Sequence, residues 1–210
     1  MLFTTKDLSV GYRADQVILR HVDIAMLEGQ IVALVGANGS GKTSLVRTIT
    51  GLLKPLSGSY EFAEAVSNSL VPQAKSLKLE FPLTIRDALA MSQSISRSPF
   101  FRWTPTSNEL ELMEKIGILE IQDLLLRECS GGQLQKYLIA RSLLSGAKLV
   151  FLDEPMDALD EKSQKDIFDV LKEKASDGVG FFIITHNLSQ KWLNHFDQVL
   201  KIQDKDVIKL

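Results

Sequence analysis

Residues 30–43 read QIVALVGANGSGKT. The run from Gln30 to Gly36 is short, continuous and apolar, the pattern of a strand buried on both faces. A glycine-rich turn follows. Then comes KTSLVRTITGLL (residues 42–53), where Leu45, Ile49 and Leu52 recur at helical spacing. Gly51 marks the end of that helix, and KPLSG reads as a turn.

Within this strand–turn–helix, residues 36–43 (GANGSGKT) match the phosphate-binding pattern of two glycines flanking four residues, then Lys and a hydroxyl. Gly36, Ala37, Asn38, Gly39, Ser40 and Gly41 let backbone N–H groups turn inward around phosphate oxygens. The helix that follows points its positive end at the same anion. Lys42 can reach β- and γ-phosphates, the Thr43 hydroxyl can bind Mg²⁺, and Ser44 adds a second hydroxyl.

A second apolar strand, KLVFLDEP (residues 148–155), ends in two carboxylates. Asp153 can hold Mg²⁺ beside the loop, and Glu154 can polarise a water for attack on a γ-phosphate. A third buried strand, GFFIITH (residues 180–186), ends in His186.

The rest of the chain organises around these pieces. LFTTKDLSV and VILRHVDIAML alternate like strands, SYEF and NSLVP are two short strands, and DQVLKIQDKDVIKL reads as a final hairpin. TIRDALAMSQS is a helix, with Thr84 and Asp87 as a capping pair. NELELMEKIGI, SGGQLQKYLIARSLL and EKSQKDIFDVLKEKAS are further helices, and LSQKWLNHF is a short one.

With 210 residues, and roughly 150 per domain as a prior, one α/β domain with a sizeable insertion is the economical reading. The hydrophobic set is 45% and charged residues are 24%, which excludes general disorder. A net charge of −2 gives no bulk attraction to nucleic acid. Cys129 stands alone, so there is no internal disulfide and no cysteine metal cluster. No apolar run approaches the ~20 residues that span a bilayer. MLFTTKDLSVGY lacks the basic head and apolar stretch of a secretory leader.

Residues 129–133 read CSGGQ and continue as LQKYLIARSLL. With GANGSGKT upstream and FLDEP downstream, the order of motifs resembles the ATP-binding cassette (ABC) ATPases, whose signature is LSGGQ before a helix of the type QRxxIARAL. The resemblance covers nearly the whole chain. It implies an α/β, P-loop NTPase fold of the ABC type, with an antiparallel β subdomain and a helical insertion at about 74–145. It implies ATP hydrolysis with ATP and Mg²⁺. It also implies that Ser130, Gly131, Gly132 and Gln133 of one copy close over ATP held by another, in a homodimer.

Other family positions follow one at a time. Tyr12, after Gly11, matches the aromatic residue that stacks on adenine. Gln73, in LVPQ, matches the glutamine that approaches Mg²⁺ and the attacking water. His186 matches the histidine that contacts the γ-phosphate, and Asp160, in DALD, the aspartate that communicates between sites. Cys129, Lys136, Met156 and Asn187 depart from the common residues, as does the Thr43-Ser44 order. Between Gly58 and Gln73 the chain is shorter than in most relatives.

The stretch VPQAKSLKLEFPLTIRDALAMSQSISRSPFFRW resembles the ATPases of zinc and manganese importers. That implies transmembrane permease subunits in separate chains, an extracytoplasmic solute-binding protein, and a cytoplasmic position on the inner face of the membrane. Phe100, Phe101 and Trp103, with Arg97 and Arg102, form either a surface for a partner's helix or a loop packed on its own insertion. His21 and His195 show no metal-ligand spacing. The rival readings are a soluble, non-transport cassette, a nucleotide-binding regulatory module that does not hydrolyse, against which Glu154 and His186 argue, and an exporter's ATPase.

Overall fold

The computed structural model describes residues 1–210 apart from Lys78, Glu80, 95–102, Asn187 and Ser189, and leaves the side chains of Ser94, Gln190 and Lys191 undescribed. Arg97, Phe100, Phe101, Arg102 and Asn187 therefore lie outside the described residues. The chain divides into two compact units. The first comprises Met1–Leu70, Lys148–Glu154 and Lys174–Leu210, and the second Val71–Ala147 and Pro155–Glu173.

The first unit holds two sheets. β1 (Phe3–Gly11) is the hub of an antiparallel sheet: β5 (Ser57–Phe62) pairs along it, while β3 (Ala25–Met26) and β2 (Val17–Val22) pair with its start and end. Phe3 before, and Leu8 and Val10 after, the irregularity at Asp7 (φ 48°), which shifts the alternation by one residue, are fully buried. The second sheet has the order β10-β9-β4-β8-β7-β6. β4 (Ile31–Val35), β7 (Leu149–Asp153), β8 (Gly180–Thr185) and β9 (Gln198–Gln203) run parallel. β10 (Asp206–Lys209) closes the expected hairpin on β9, and β6 (Asn68–Val71) forms the other edge. The continuous apolar runs of β4, β7 and β8 are buried, as strands covered on both faces must be. Phe3, Phe151 and Phe182 join the two sheets' cores, with ring centroids 5.7–6.0 Å apart in tilted and edge-on contacts.

α1 (Lys42–Ile49) buries Leu45, Val46 and Ile49. Leu52 departs from the predicted helical stripe: it lies beyond the helix and is 69% exposed. The cause is Gly51, whose φ of 78° ends the helix, with Gly51 N–H bonded to Thr48 O and Leu53 N–H to Arg47 O. α6 (Gln190–Leu193) is a single turn.

The second unit is helical. α2 (Ile85–Ser94) and α3 (Ser107–Ile116) both pack against α4 (Gly131–Leu144). Ile85, Leu89, Met113, Ile116, Leu134 and Leu138 supply buried apolar faces. The predicted cap of α2 is present: Thr84 Oγ1 accepts the Asp87 N–H at 3.1 Å and donates to Asp87 Oδ2 at 2.7 Å. α3 starts with a reciprocal capping box between Thr106 and Glu109 and stops at Gly117 in the left-handed conformation. α5 (Glu161–Ser176) begins in this unit.

Candidate functional site

Three parallel strands deliver the site. Val35 pairs with Thr185, and Asp153 with Ile184, so β4, β8 and β7 end at the same level. The residues just beyond them are Gly36, His186 and Glu154. The C-terminal ends of parallel strands are where α/β sheets hold ligands.

The loop after β4 curls back on itself, with Ser40 N–H bonded to Ala37 O. Lys42 is 5% exposed, and its ammonium donates to Gly36 O at 2.7 Å and Ala37 O at 3.0 Å. A buried positive charge thus sits within the loop. Gly41 adopts φ 105°, and a Cβ there would fall 2.4 Å from Ile18 Cγ2, so this position demands glycine. Gly41, the N-cap of α1, has no side chain to bond the helix start, and no acid sits in the first turn. The positive end of the helix dipole there favours an anion. Tyr12 is 60% exposed and its hydroxyl lies 3.3 Å from Ser44 Oγ.

Thr43 Oγ1 donates to Asp153 Oδ2 at 3.0 Å. A hydroxyl and a carboxylate side by side are hard oxygen donors, the chemistry Mg²⁺ takes, so the residues present fit that ion. Glu154 takes φ 48°, unusual for a side chain of its size, and its N–H bonds to Ile184 O. This turn sets the carboxylate against His186, with Oε1 to Nδ1 3.4 Å.

The remaining predicted residues lie in the second unit. Gln73 precedes a short 3₁₀ turn, and its carbonyl accepts from Ser76 N–H and Ser76 Oγ. Ser130 caps α4 by accepting the Gln133 N–H, while Gln133 Oε1 accepts the Ser130 N–H at 2.8 Å. The signature glutamine is thus used within its own helix start, a role its position three after Ser130 signals in sequence. Cys129 is half-buried, and burial, then the Glu128 charge, push its thiol pKa up, as for an inert small side chain. Asp160 Oδ1 accepts the Ser163 N–H at 2.8 Å, capping α5.

Two relationships were not legible beforehand. Gly132 packs so tightly that a Cβ there would lie 2.8 Å from the Ala158 carbonyl. Gln135, 1% exposed, bonds to the backbone after Gln73. Its one signal is a polar residue among the buried positions Leu134, Leu138 and Ile139 of α4.

A glycine-rich loop before a helix, the Thr43–Asp153 pair and the Glu154–His186 pair thus gather at the ends of the parallel strands, the arrangement of a nucleotide-binding domain. Residues 19–157 match the family model described as ABC transporter, and the chain belongs to that family as its ATP-binding, ATP-hydrolysing subunit. It is similar to the zinc transport system ATP-binding protein TroB of Treponema pallidum (strain Nichols), 33% identical over 204 residues, 92% of this chain and 75% of that one. It is also similar to the manganese transport system ATP-binding protein MntA of Synechocystis sp. (strain ATCC 27184 / PCC 6803 / Kazusa), 31% identical over 194 residues, 87% and 74% of the two chains. A solved inward-facing structure of a metal-chelate type ABC transporter superposes with a TM-score of 0.83 at 25% identity, covering all of this chain and 82% of that one. No helix among the described residues is long and apolar enough to cross a membrane.

Proposed function

We propose that two copies of this chain bind two ATP molecules between them and use hydrolysis to drive uptake of a divalent metal ion, such as zinc or manganese, through separate membrane-spanning subunits. The observation that carries the chemistry is the convergence of Lys42, the Thr43–Asp153 pair and the Glu154–His186 pair at the ends of three neighbouring parallel strands. The cargo reading is supported by the likeness to zinc and manganese transport proteins.

In this reading Gly36–Ser44 wrap the phosphates, Lys42 and His186 hold the γ-phosphate, and Tyr12 stacks on adenine. Thr43, Asp153 and Gln73 would hold Mg²⁺, which when bound supplies charge neutralisation on the phosphates. Glu154 takes the proton of the attacking water. Catalysis is then positioning and charge stabilisation in a water-poor site. Ser130, Gly131, Gly132 and Gln133 of the second copy complete the site, and Asp160 communicates between the two. The chain works on the cytoplasmic, inner face of the membrane, bound to its permease, with an extracytoplasmic binding protein delivering the ion.

The test is ATP hydrolysis by this chain purified with its candidate membrane partners in lipid. Stimulation by a zinc- or manganese-loaded binding protein is expected. Hydrolysis that ignores both membrane partner and loaded binding protein would overturn the cargo reading.

A further inference from the structure

The helix that carries the signature also carries a buried amide that the chemistry above does not use. Gln135 lies in the second turn of α4 at 1% exposure, and its Oε1 accepts the backbone N–H of Ala74 at 3.1 Å. Ala74 is itself 6% exposed and immediately follows Gln73. Its N–H has no route to water, so the Gln135 oxygen is what satisfies it. Nε2 of Gln135 has no acceptor among the described residues. Turning the amide over would set donor against donor, so the Ala74 N–H decides its orientation. The same helix start is wedged under the Ala158 carbonyl through Gly132.

We propose that Gln135 is a positioning residue for hydrolysis: it tethers the segment bearing Gln73 to the signature helix, so that the two shift as one piece. A buried hydrogen bond between side chain and backbone fixes a loop in one register, and losing the acceptor leaves a buried donor unpaired. The rate consequence rests on the reading of Gln73 given above; the tether itself does not.

The experiment uses the full chain and Gln135→Leu, with Gln135→Met as the second variant should the first not fold. Two readouts are taken below the melting temperature. In amide exchange, Ala74 protection should fall about tenfold or more, as expected for an opened buried bond, while β4 amides stay protected. In steady-state hydrolysis, kcat should fall about tenfold with KM for ATP within about twofold, and Gln73→Ala combined with Gln135→Leu should cost no more than Gln73→Ala alone. Unchanged Ala74 protection overturns the tether, and full additivity of the two losses overturns the positioning role. Wild-type kcat in Gln73→Ala would instead overturn the role of Gln73, and the exchange readout would still decide the tether.

Discussion

Thr43 Oγ1 and Asp153 Oδ2 meet at 3.0 Å although 110 residues separate them in the chain. The first turn of α1 and the end of β7 are thereby locked together at the mouth of the phosphate loop. Asp153→Asn keeps the volume and removes the charge that a hard divalent ion needs. The Mg²⁺ concentration for half-maximal hydrolysis should rise about tenfold or more. A Mg²⁺ titration at fixed ATP checks this, and an unchanged requirement would remove the pair from metal holding.

Glu154 is bent into a left-handed conformation whose N–H is held by Ile184, with His186 3.4 Å from its carboxylate. Glu154→Gln keeps that shape and removes the proposed base. Turnover should drop by about 10²–10⁴, the usual range for losing a general base, with ATP affinity little changed. Single-turnover phosphate release and equilibrium nucleotide binding separate the two effects. Undiminished release would assign proton removal to another group.

Gly132 and Gly131 are neighbours in the first turn of α4 but face different surroundings. A methyl at 132 would meet the Ala158 carbonyl at 2.8 Å, whereas one at 131 would meet Ala158 Cβ at an ordinary 3.8 Å. Gly132→Ala should destabilise by about 1–3 kcal/mol, the cost of overpacking against backbone. Gly131→Ala should be neutral or stabilise by up to about 1 kcal/mol through helix propensity. Urea unfolding of both variants tests the contrast, and equal midpoints would show that the Ala158 loop yields freely.

Asp160 caps α5, and hydrogen bonds from the Ser163 hydroxyl and backbone N–H hold its carboxyl below the ordinary 3.8. Because the folded pKa is the lower one, the charge stabilises fully above the unfolded value. That stabilisation is lost as pH falls through the folded value. Asp160→Ala should therefore melt earlier than wild type near neutrality, and the gap should shrink from about pH 4 downward. Melting curves across that range decide it; a gap that persists undiminished in acid would show that the charge contributes nothing.

Much of this architecture was legible because its determinants are local. The runs IVALV, LVFLD and GFFIIT announce strands covered on both faces, and the Thr84–Asp87 cap follows from spacing alone. Leu52 misled, since periodicity carries past a glycine that the backbone uses as a stop. The capping boxes at Thr106 and Ser130 carry a sequence signature too, Glu or Gln three residues on.

By itself, then, the sequence determined the phosphate loop between β4 and α1, the carboxylates ending β7 and the histidine ending β8, because each depends on residues within a turn or two of one another. Only the tertiary structure decided that Thr43 reaches Asp153, that Ile184 pins the bent Glu154, and that the side-chain Oε1 of Gln135 accepts the Ala74 N–H, 61 residues away. Those pairings follow from strand order and helix packing, where burial of the whole chain, rather than local periodicity, selects which polar groups must satisfy one another.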